Sequence, residues 1–113
     1  MFYVLINGKG IGIHSANEML TLETMQNLIG VEGEPAYIEV ASYRSYSDSS
    51  LVMICDDEFL RKGYNPTCYT LEGNTIHGQV LILGTDAKRE DFGLLSLAQT
   101  KIIKRETKLY QRK

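Results

Sequence analysis

The sequence has 113 residues, of which 43% are hydrophobic and 23% are charged. A chain of this length can bury about two-thirds of its unfolded surface in one core, so we predict a single domain over residues 1–113. No segment approaches the ~20 apolar residues of a membrane span, and the N-terminus lacks the basic start and cleavage site of a signal peptide. The sequence therefore predicts a cytoplasmic protein without a membrane partner.

The net charge of −2 conceals a strong asymmetry along the chain. Residues 100–113 carry six cations against Glu106 alone, a balance of +5, which leaves −7 on residues 1–99. A basic end on an acidic body favours binding of a charged partner at one end of the molecule.

The chain begins with a predicted β-hairpin. Apolar residues 2–6 precede Asn7-Gly8, a dipeptide that favours a two-residue turn, so we predict that Ile6 lies opposite Lys9. The run Gly8–Gly12 could instead contact a phosphate. It is neither a Walker loop nor a dinucleotide fingerprint, because the required hydroxyl residue and third glycine are missing. We therefore interpret these glycines as hairpin residues beneath large cross-strand neighbours.

A helix and several strands follow. Thr21 is a suitable N-cap, and apolar residues recur at helical spacing after it, which predicts a helix over residues 22–29. Residues 63–75 lack a regular pattern and are predicted to be irregular, with at most one helical turn. Three further strands are predicted from alternating or continuous apolar residues, at 36–43, 51–55 and 79–83.

The last predicted element is a basic helix. Ser96 and Gln99 have the spacing of a capping box, and an amphipathic pattern continues from residue 96 to about 110. The order of elements predicts an α+β fold. It has a mostly antiparallel sheet of about five strands, helices packed on one face, and a long amphipathic C-terminal helix after a body of residues 1–98.

Two regions are candidates for partner binding. Tyr43 and Tyr46 flank Arg44 in a serine-rich loop, a composition typical of adaptable recognition surfaces. The final helix is either a solvated basic face or an electrostatic footprint for nucleic acid or an acidic protein. Its candidate residues are Lys101, Lys104, Arg105, Lys108 and Arg112.

A candidate ligand pocket lies in segment 63–77, because long irregular segments often carry function. Its candidate residues are Tyr64, Asn65 and His77. Cys68 is the only nucleophile that we can group with His77, and the sequence contains no catalytic motif. We therefore predict a protein that is not an enzyme and that has no catalytic residue, no metal and no cofactor. The acidic run Asp56–Glu58 is interpreted as solvated acids that cap a helical turn.

A series of motifs runs through the second half of the chain: Leu51–Glu58, Lys62, Asn65-Pro66, Ile76–Gly84, Asp91-Phe92 and Ser96-Leu97. With Leu28–Gly30 and Ile38-Glu39, it resembles a family of small domains of unknown function found in bacteria, phages, plasmids and integrated elements. The resemblance implies no activity. It implies a setting in mobile genetic elements, where small proteins often counter host defences.

Three functions follow as hypotheses. The first is a non-enzymatic inhibitor or accessory protein that binds a host protein or ribonucleoprotein, such as a defence nuclease of the CRISPR or restriction type. The second is a small-ligand protein that holds a nucleotide signal between segment 63–77, His77 and the glycine hairpin. The third is a nucleic-acid-binding protein that uses the final helix. An unpaired edge strand would permit a homodimer, and a monomer is equally compatible with the sequence.

Overall fold

The computed structural model describes residues 1–30, 34–86 and 91–111. Within those ranges the chain forms nine strands and two helices. In chain order they are β1 Phe2–Asn7, β2 Gly10–Ser15, α1 Leu22–Ile29, β3 Ile38–Ser42, β4 Leu51–Asp56, β5 Pro66–Tyr69, β6 Thr75–His77, β7 Val80–Thr85, β8 Phe92–Gly93, α2 Leu97–Glu106 and β9 Lys108–Leu109. Neither helix has the length and apolar content needed to cross a membrane.

The main sheet has the strand order β2-β1-β7-β4-β3, with β8 as a sixth strand beside β7. Its neighbours are antiparallel, which confirms the predicted α+β class and sheet type. The predicted five strands become six because Phe2 and Leu95 exchange backbone hydrogen bonds of 2.9 and 2.7 Å. These bonds hold the chain before α2 beside the sheet, where the short strand β8 forms.

The two helices lie on opposite faces of the sheet, so the prediction that they share one face was wrong. Met25 and Ile29 of α1 pack with Val52 and Ile54 of β4. Ile103 of α2 packs on the other face, in a cluster that includes the intervening β4 residues. Every residue of β4 is buried because the strand is covered on both faces.

The predicted helix over 22–29 is confirmed. The hydroxyl of Thr21 accepts a hydrogen bond of 3.1 Å from the backbone N–H of Thr24, as an N-cap should. Gly30 ends the helix with an extended backbone. A glycine is required there because the neighbouring backbone passes close by: a Cβ atom would lie 2.6 Å from the carbonyl oxygen of Glu34.

The hairpin forms at the predicted place with a shifted register. Asn7 lies opposite Gly10, so Gly8 and Lys9 make the turn, and Ile6 lies opposite Ile11 instead of Lys9. The side chain of Asn7 accepts a hydrogen bond of 2.9 Å from the N–H of Lys9, which makes Asn7 the last strand residue. Gly10, the first residue of the returning strand, has a φ of 114°, a positive value that glycine adopts without steric cost.

Segment 63–77 is more regular than predicted. It supplies β5 and β6, and these form a second sheet with the order β6-β5-β9. The same sheet shortens the C-terminal helix, which is not the long element predicted over 96–110 but ten residues that end at Glu106. Thr107 has an extended backbone, and Lys108 then pairs with Tyr69 of β5. Pairing with a distant strand therefore overrides a local helical pattern. The capping box of Ser96 and Gln99 is confirmed.

Candidate functional site

The basic candidates lie at one end of the molecule, on two different elements. Lys101, Lys104 and Arg105 are exposed on α2, whose buried residues are Thr100 and Ile103. Lys108 is exposed on β9, and Arg112 lies outside the described residues. Arg105 contacts the carboxylate of Glu106 at 3.3 Å. No acidic partner is found for the three lysines within the part of the chain that the structure describes.

The tyrosine-rich loop does not form one surface. Tyr46 is only 7% exposed and packs in the core on the α2 side, and its hydroxyl lies 2.7 Å from Oγ1 of Thr107. Burial raises the pKa of Tyr46, although the hydrogen bond with Thr107 acts in the opposite direction. Tyr43 is half-buried against the α1 side, and Arg44 is exposed. Tyr46 is therefore a core residue, and the expectation that it shares an exposed surface with Arg44 was wrong.

The serine-rich loop is fastened to the end of α2. The backbone N–H and the hydroxyl of Ser47 donate to the two carboxylate oxygens of Glu106, at 2.8 and 2.5 Å. The hydrogen bonds from Ser47 hold the pKa of Glu106 below its ordinary value, and Arg105 adds to the effect. The side chain of Gln99 donates to Asp48 and Ser50 at 3.2 and 3.1 Å. Two regions that are about fifty residues apart in sequence thus become one surface.

A cavity of about 400 Å³ opens where this loop meets β5 and β9, and we call it the loop cavity. Tyr46 and Met53 contribute buried apolar surface to it, while Leu71 is 62% exposed at its edge. Glu106 and Lys108 supply its charged groups. The remaining lining residues carry hydroxyl groups: Ser45, Ser47, Tyr69, Thr70 and Thr107.

A second cavity, of about 330 Å³, lies beside the hairpin turn, and we call it the turn groove. Asn7 and Gly8 form one wall, and the segment from Gly63 to Thr67 forms the other, with Gly78 and Gln79 between them. An adjoining depression of about 280 Å³ shares Asn7, Gly8 and Asn65–Thr67 and adds Tyr110. The structure thus places the glycine hairpin, Tyr64 and Asn65 around one opening.

Gly78 and His77 hold Tyr64 in place. Gly78 has a φ of 80°, and a Cβ atom there would lie 2.6 Å from the ring carbon Cδ2 of Tyr64. Nδ1 of His77 lies 2.8 Å from the carbonyl oxygen of Tyr64, and this nitrogen must carry the proton because a carbonyl only accepts. The His77 ring stacks on Phe59 at 5.1 Å. His77 is therefore not a lining residue of the turn groove. Its hydrogen bond holds the backbone of Tyr64, which does line the groove.

A buried ion pair secures the chain before Tyr64. Nζ of Lys62 lies 2.7 Å from Oδ2 of Asp56, and the two side chains are 4% and 1% exposed. Burial by itself raises the pKa of Asp56, but hydrogen bonds from Lys62 and from the N–H of Glu58 outweigh it, so the pKa lies below its ordinary value. The interpretation of Asp56 as a solvated acid was wrong. Its position at the end of a fully buried strand was the signal for a buried partner.

The cysteines are placed as core residues. Cys55 and Cys68 are both buried, and burial raises the pKa of each thiol to about 12. Such a thiol is a poor nucleophile near neutral pH. Across the described ranges, no three side chains of the types His, Cys, Asp and Glu are grouped so that they could hold a metal ion.

A comparison with protein-family models matches residues 3–110 to a domain of unknown function, DUF3846. The chain belongs to this family. Searches of curated proteins and of solved structures found no match. Membership therefore fixes the extent of the domain, which includes both cavities, and assigns no role to any residue in them.

Sequence reasoning found Tyr64, Asn65 and the glycine hairpin but missed other parts of the turn groove. Gln79 and Gly30 were not identified as groove residues, because they lie in connections between elements, where no local pattern shows what a residue will face. The positive φ of Gly78 also could not be predicted, because a glycine shortly before a strand can adopt either sign of φ. The Asn7-Gly8 turn was the one available signal, and it was interpreted as structural.

Proposed function

We propose that this protein is a non-enzymatic, cytoplasmic binding protein whose turn groove holds a small polar ligand of the nucleotide class. The observation that carries the proposal is the convergence of the Asn7-Gly8 turn with Tyr64 and Asn65 around one opening of about 330 Å³. That volume lies in the range of small-molecule sites. The nucleotide hypothesis drawn from the sequence named the glycine hairpin, Tyr64 and Asn65, and also His77, which does not line the groove.

The chemistry of the walls favours a nucleotide. Asn7, Asn65 and Gln79 supply carboxamide groups, which suit the hydrogen-bonding edge of a base. Tyr64 supplies an aromatic ring at the same wall. Lys9 lies in a neighbouring depression of about 360 Å³ that shares Asn7 and Gln79, and it provides a cation for a phosphate group.

The test is a thermal-shift screen of the full chain with mono-, di- and cyclic nucleotides. A ligand that binds only the folded state raises the melting temperature as its concentration rises above the dissociation constant. We expect N65A to lose this rise, because Asn65 lines the groove, and N74A to keep it, because Asn74 is an exposed asparagine outside the groove. No rise with any nucleotide would reject the proposal.

A second candidate function is the binding of a host protein or ribonucleoprotein by the exposed cations of α2 and β9, which we call the basic end. The observation that favours it is the set of exposed cations Lys101, Lys104, Arg105 and Lys108 on a molecule that is otherwise acidic. With the mobile-element setting that the family resemblance implies, this function would be the inhibition of a defence nuclease, of the anti-CRISPR or antirestriction type. The protein would act as a monomer or as a homodimer.

The second function is tested with the double variant K104E/R105E and the charge-matched control K9E/R61E, which reverses two exposed cations elsewhere. We expect the wild type and K9E/R61E to retain one stoichiometric partner from a host lysate, and K104E/R105E to lose it. Nuclease treatment of the lysate separates a protein partner from direct nucleic-acid binding, which would show a steep dependence on salt concentration. Equal recovery by all three proteins would contradict a role for the basic end.

A further inference from the structure

The geometry points to the loop cavity as an anchor site that takes one apolar side chain from an acidic segment of a partner protein. The inference deepens the second candidate function and rests on it, because it names the chemistry of the partner that the basic end would bind. It concerns a site about which the family assignment says nothing.

The first argument is that most hydroxyl groups of the loop cavity already have partners; that of Thr70, for example, accepts from the N–H of Asn74. The hydroxyls of Tyr46 and Thr107 bond to each other, and that of Ser47 donates to Glu106. Ser45 bonds to Ser42 and accepts from the N–H of Leu71. A ligand would gain little by replacing these bonds, since each exchange leaves the number of hydrogen bonds unchanged.

The second argument is that the surface left for a ligand is mainly apolar. Met53 and Tyr46 are buried at the inner end, and the exposed side chain of Leu71 stands at the mouth. Apolar surface that is rimmed by polar groups is typical of an interaction site. An aromatic or aliphatic side chain that fills such a cavity is the usual energetic centre of a protein interface.

The third argument is electrostatic. Glu106 is the carboxylate of the cavity, and the donors from Ser47 and Arg105 already compensate it. Lys108 lines the same cavity with an exposed ammonium group, and Lys104 is exposed on α2, four residues earlier in the chain. Acidic residues on both sides of an apolar anchor would meet these cations, which provides the charge complementarity of a specific complex.

Charge also separates a protein partner from nucleic acid. The cavity wall holds one cation, Lys108, beside one carboxylate, Glu106, and so lacks the cluster of cations that a phosphate group favours. A base would find most hydroxyl groups of the cavity already paired. A protein segment can instead place an uncharged side chain in the cavity and its acidic residues outside, toward Lys104 and Lys108.

The probe is a fluorescein-labelled peptide with one phenylalanine between two runs of three acidic residues, measured by fluorescence anisotropy with the full chain. Two matched peptides replace the phenylalanine by alanine, or the acidic residues by lysine. We expect the first peptide to bind about tenfold more tightly than either of the others. Titration of 15N-labelled protein should shift the amide signals of residues 45–47, 69–71 and 106–108.

Two pairs of variants locate the contact. L71D places a charge at the cavity mouth, and its control L60D makes the same change at a leucine that is 72% exposed elsewhere. K108E reverses the cation of the cavity, and R61E is its control at an exposed cation that lines neither cavity. We expect L71D and K108E to weaken the first peptide about tenfold and the two controls to leave its affinity unchanged.

Equal affinity for the phenylalanine and alanine peptides overturns the anchor site. If K104E/R105E still weakens both peptides, the second candidate function survives that result, so the two failures are distinguishable. Tighter binding of the lysine peptide, equal effects of L71D and L60D, or amide shifts confined to other residues overturn the inference as well.

Discussion

The two cavities of this protein are built in different ways. The turn groove depends on backbone conformation and on a buried ion pair, since Gly78 must keep a positive φ beside Tyr64 and Lys62 must stay against Asp56. The loop cavity depends on hydrogen bonds between side chains, above all those of Tyr46 and Ser47 with the end of α2. Both cavities present mostly apolar surface, to which the turn groove adds uncharged amide groups and the loop cavity adds a lysine and a carboxylate.

The difference suggests how each site responds to change. Positive-φ glycines and buried charges tolerate few substitutions, so damage to the turn groove should lower the stability of the whole domain. Hydrogen bonds near the surface contribute less each, so the loop cavity should be alterable in small steps. The variants below test this contrast, from the largest expected effect to the smallest.

The largest loss of stability is expected for K62M. The change removes the ammonium group that faces Asp56 and leaves a carboxylate of a buried side chain without its counter-charge. The control is R61M, because Arg61 is exposed and pairs with Glu58 at the surface. Urea denaturation should give a clearly lower midpoint for K62M and a midpoint near that of the wild type for R61M.

The same pair predicts a dependence on pH. The folded-state pKa of Asp56 is lowered, so its contribution to stability is complete above about pH 4 and is lost as the pH falls through the folded value. The pKa of Lys62 is raised by the hydrogen bond with Asp56, so its contribution is lost only above about pH 10. The unfolding free energy of the wild type should therefore decrease relative to that of D56N/K62M as the pH falls below 4. A constant difference from pH 7 to pH 2 would contradict the assignment.

The next effect is expected for G78A. An alanine would have to adopt a φ near 80° with its Cβ against the Tyr64 ring, which should lower the free energy of unfolding by about 2 kcal/mol. G8A is the control, because a Cβ at Gly8 meets no atom within 4 Å. Chemical denaturation measures both, and similar values for the two variants would mean that Gly78 does not hold the wall of the groove.

The smallest effect is expected for Y46F. It removes the hydrogen bond of 2.7 Å with Thr107 but keeps the buried ring, so we expect a loss of about 1 kcal/mol in unfolding free energy. Y110F is the control, because Tyr110 is 38% exposed and contacts Tyr69 through its ring. A loss in Y46F as large as that in K62M would break the contrast between the two cavities.

Local patterns predicted the elements that depend on local interactions. The helix over 22–29 with its Thr21 cap, the capping box at Ser96 and the central strand beginning at Leu51 all follow from side-chain period and capping chemistry. The hairpin was also predicted, but its register was wrong because the turn depends on one hydrogen bond that the N–H of Lys9 donates to the side chain of Asn7. Tyr64 and Asn65 were identified as candidates because they lie in a segment without a regular pattern.

By itself, the sequence determined the α+β class, a mostly antiparallel sheet, the helix starts and the polarised charge. The tertiary structure decided which sheet face each helix covers, because both faces of β4 are apolar and either could accept a helix. It also ended α2 at Glu106, because strand pairing with β5 competes with the helical pattern of the last residues. Both cavities arise where segments far apart in sequence come together: Asn7 and Asn65 line one, and Ser47 bonds to Glu106 at the other. No local pattern encodes these juxtapositions.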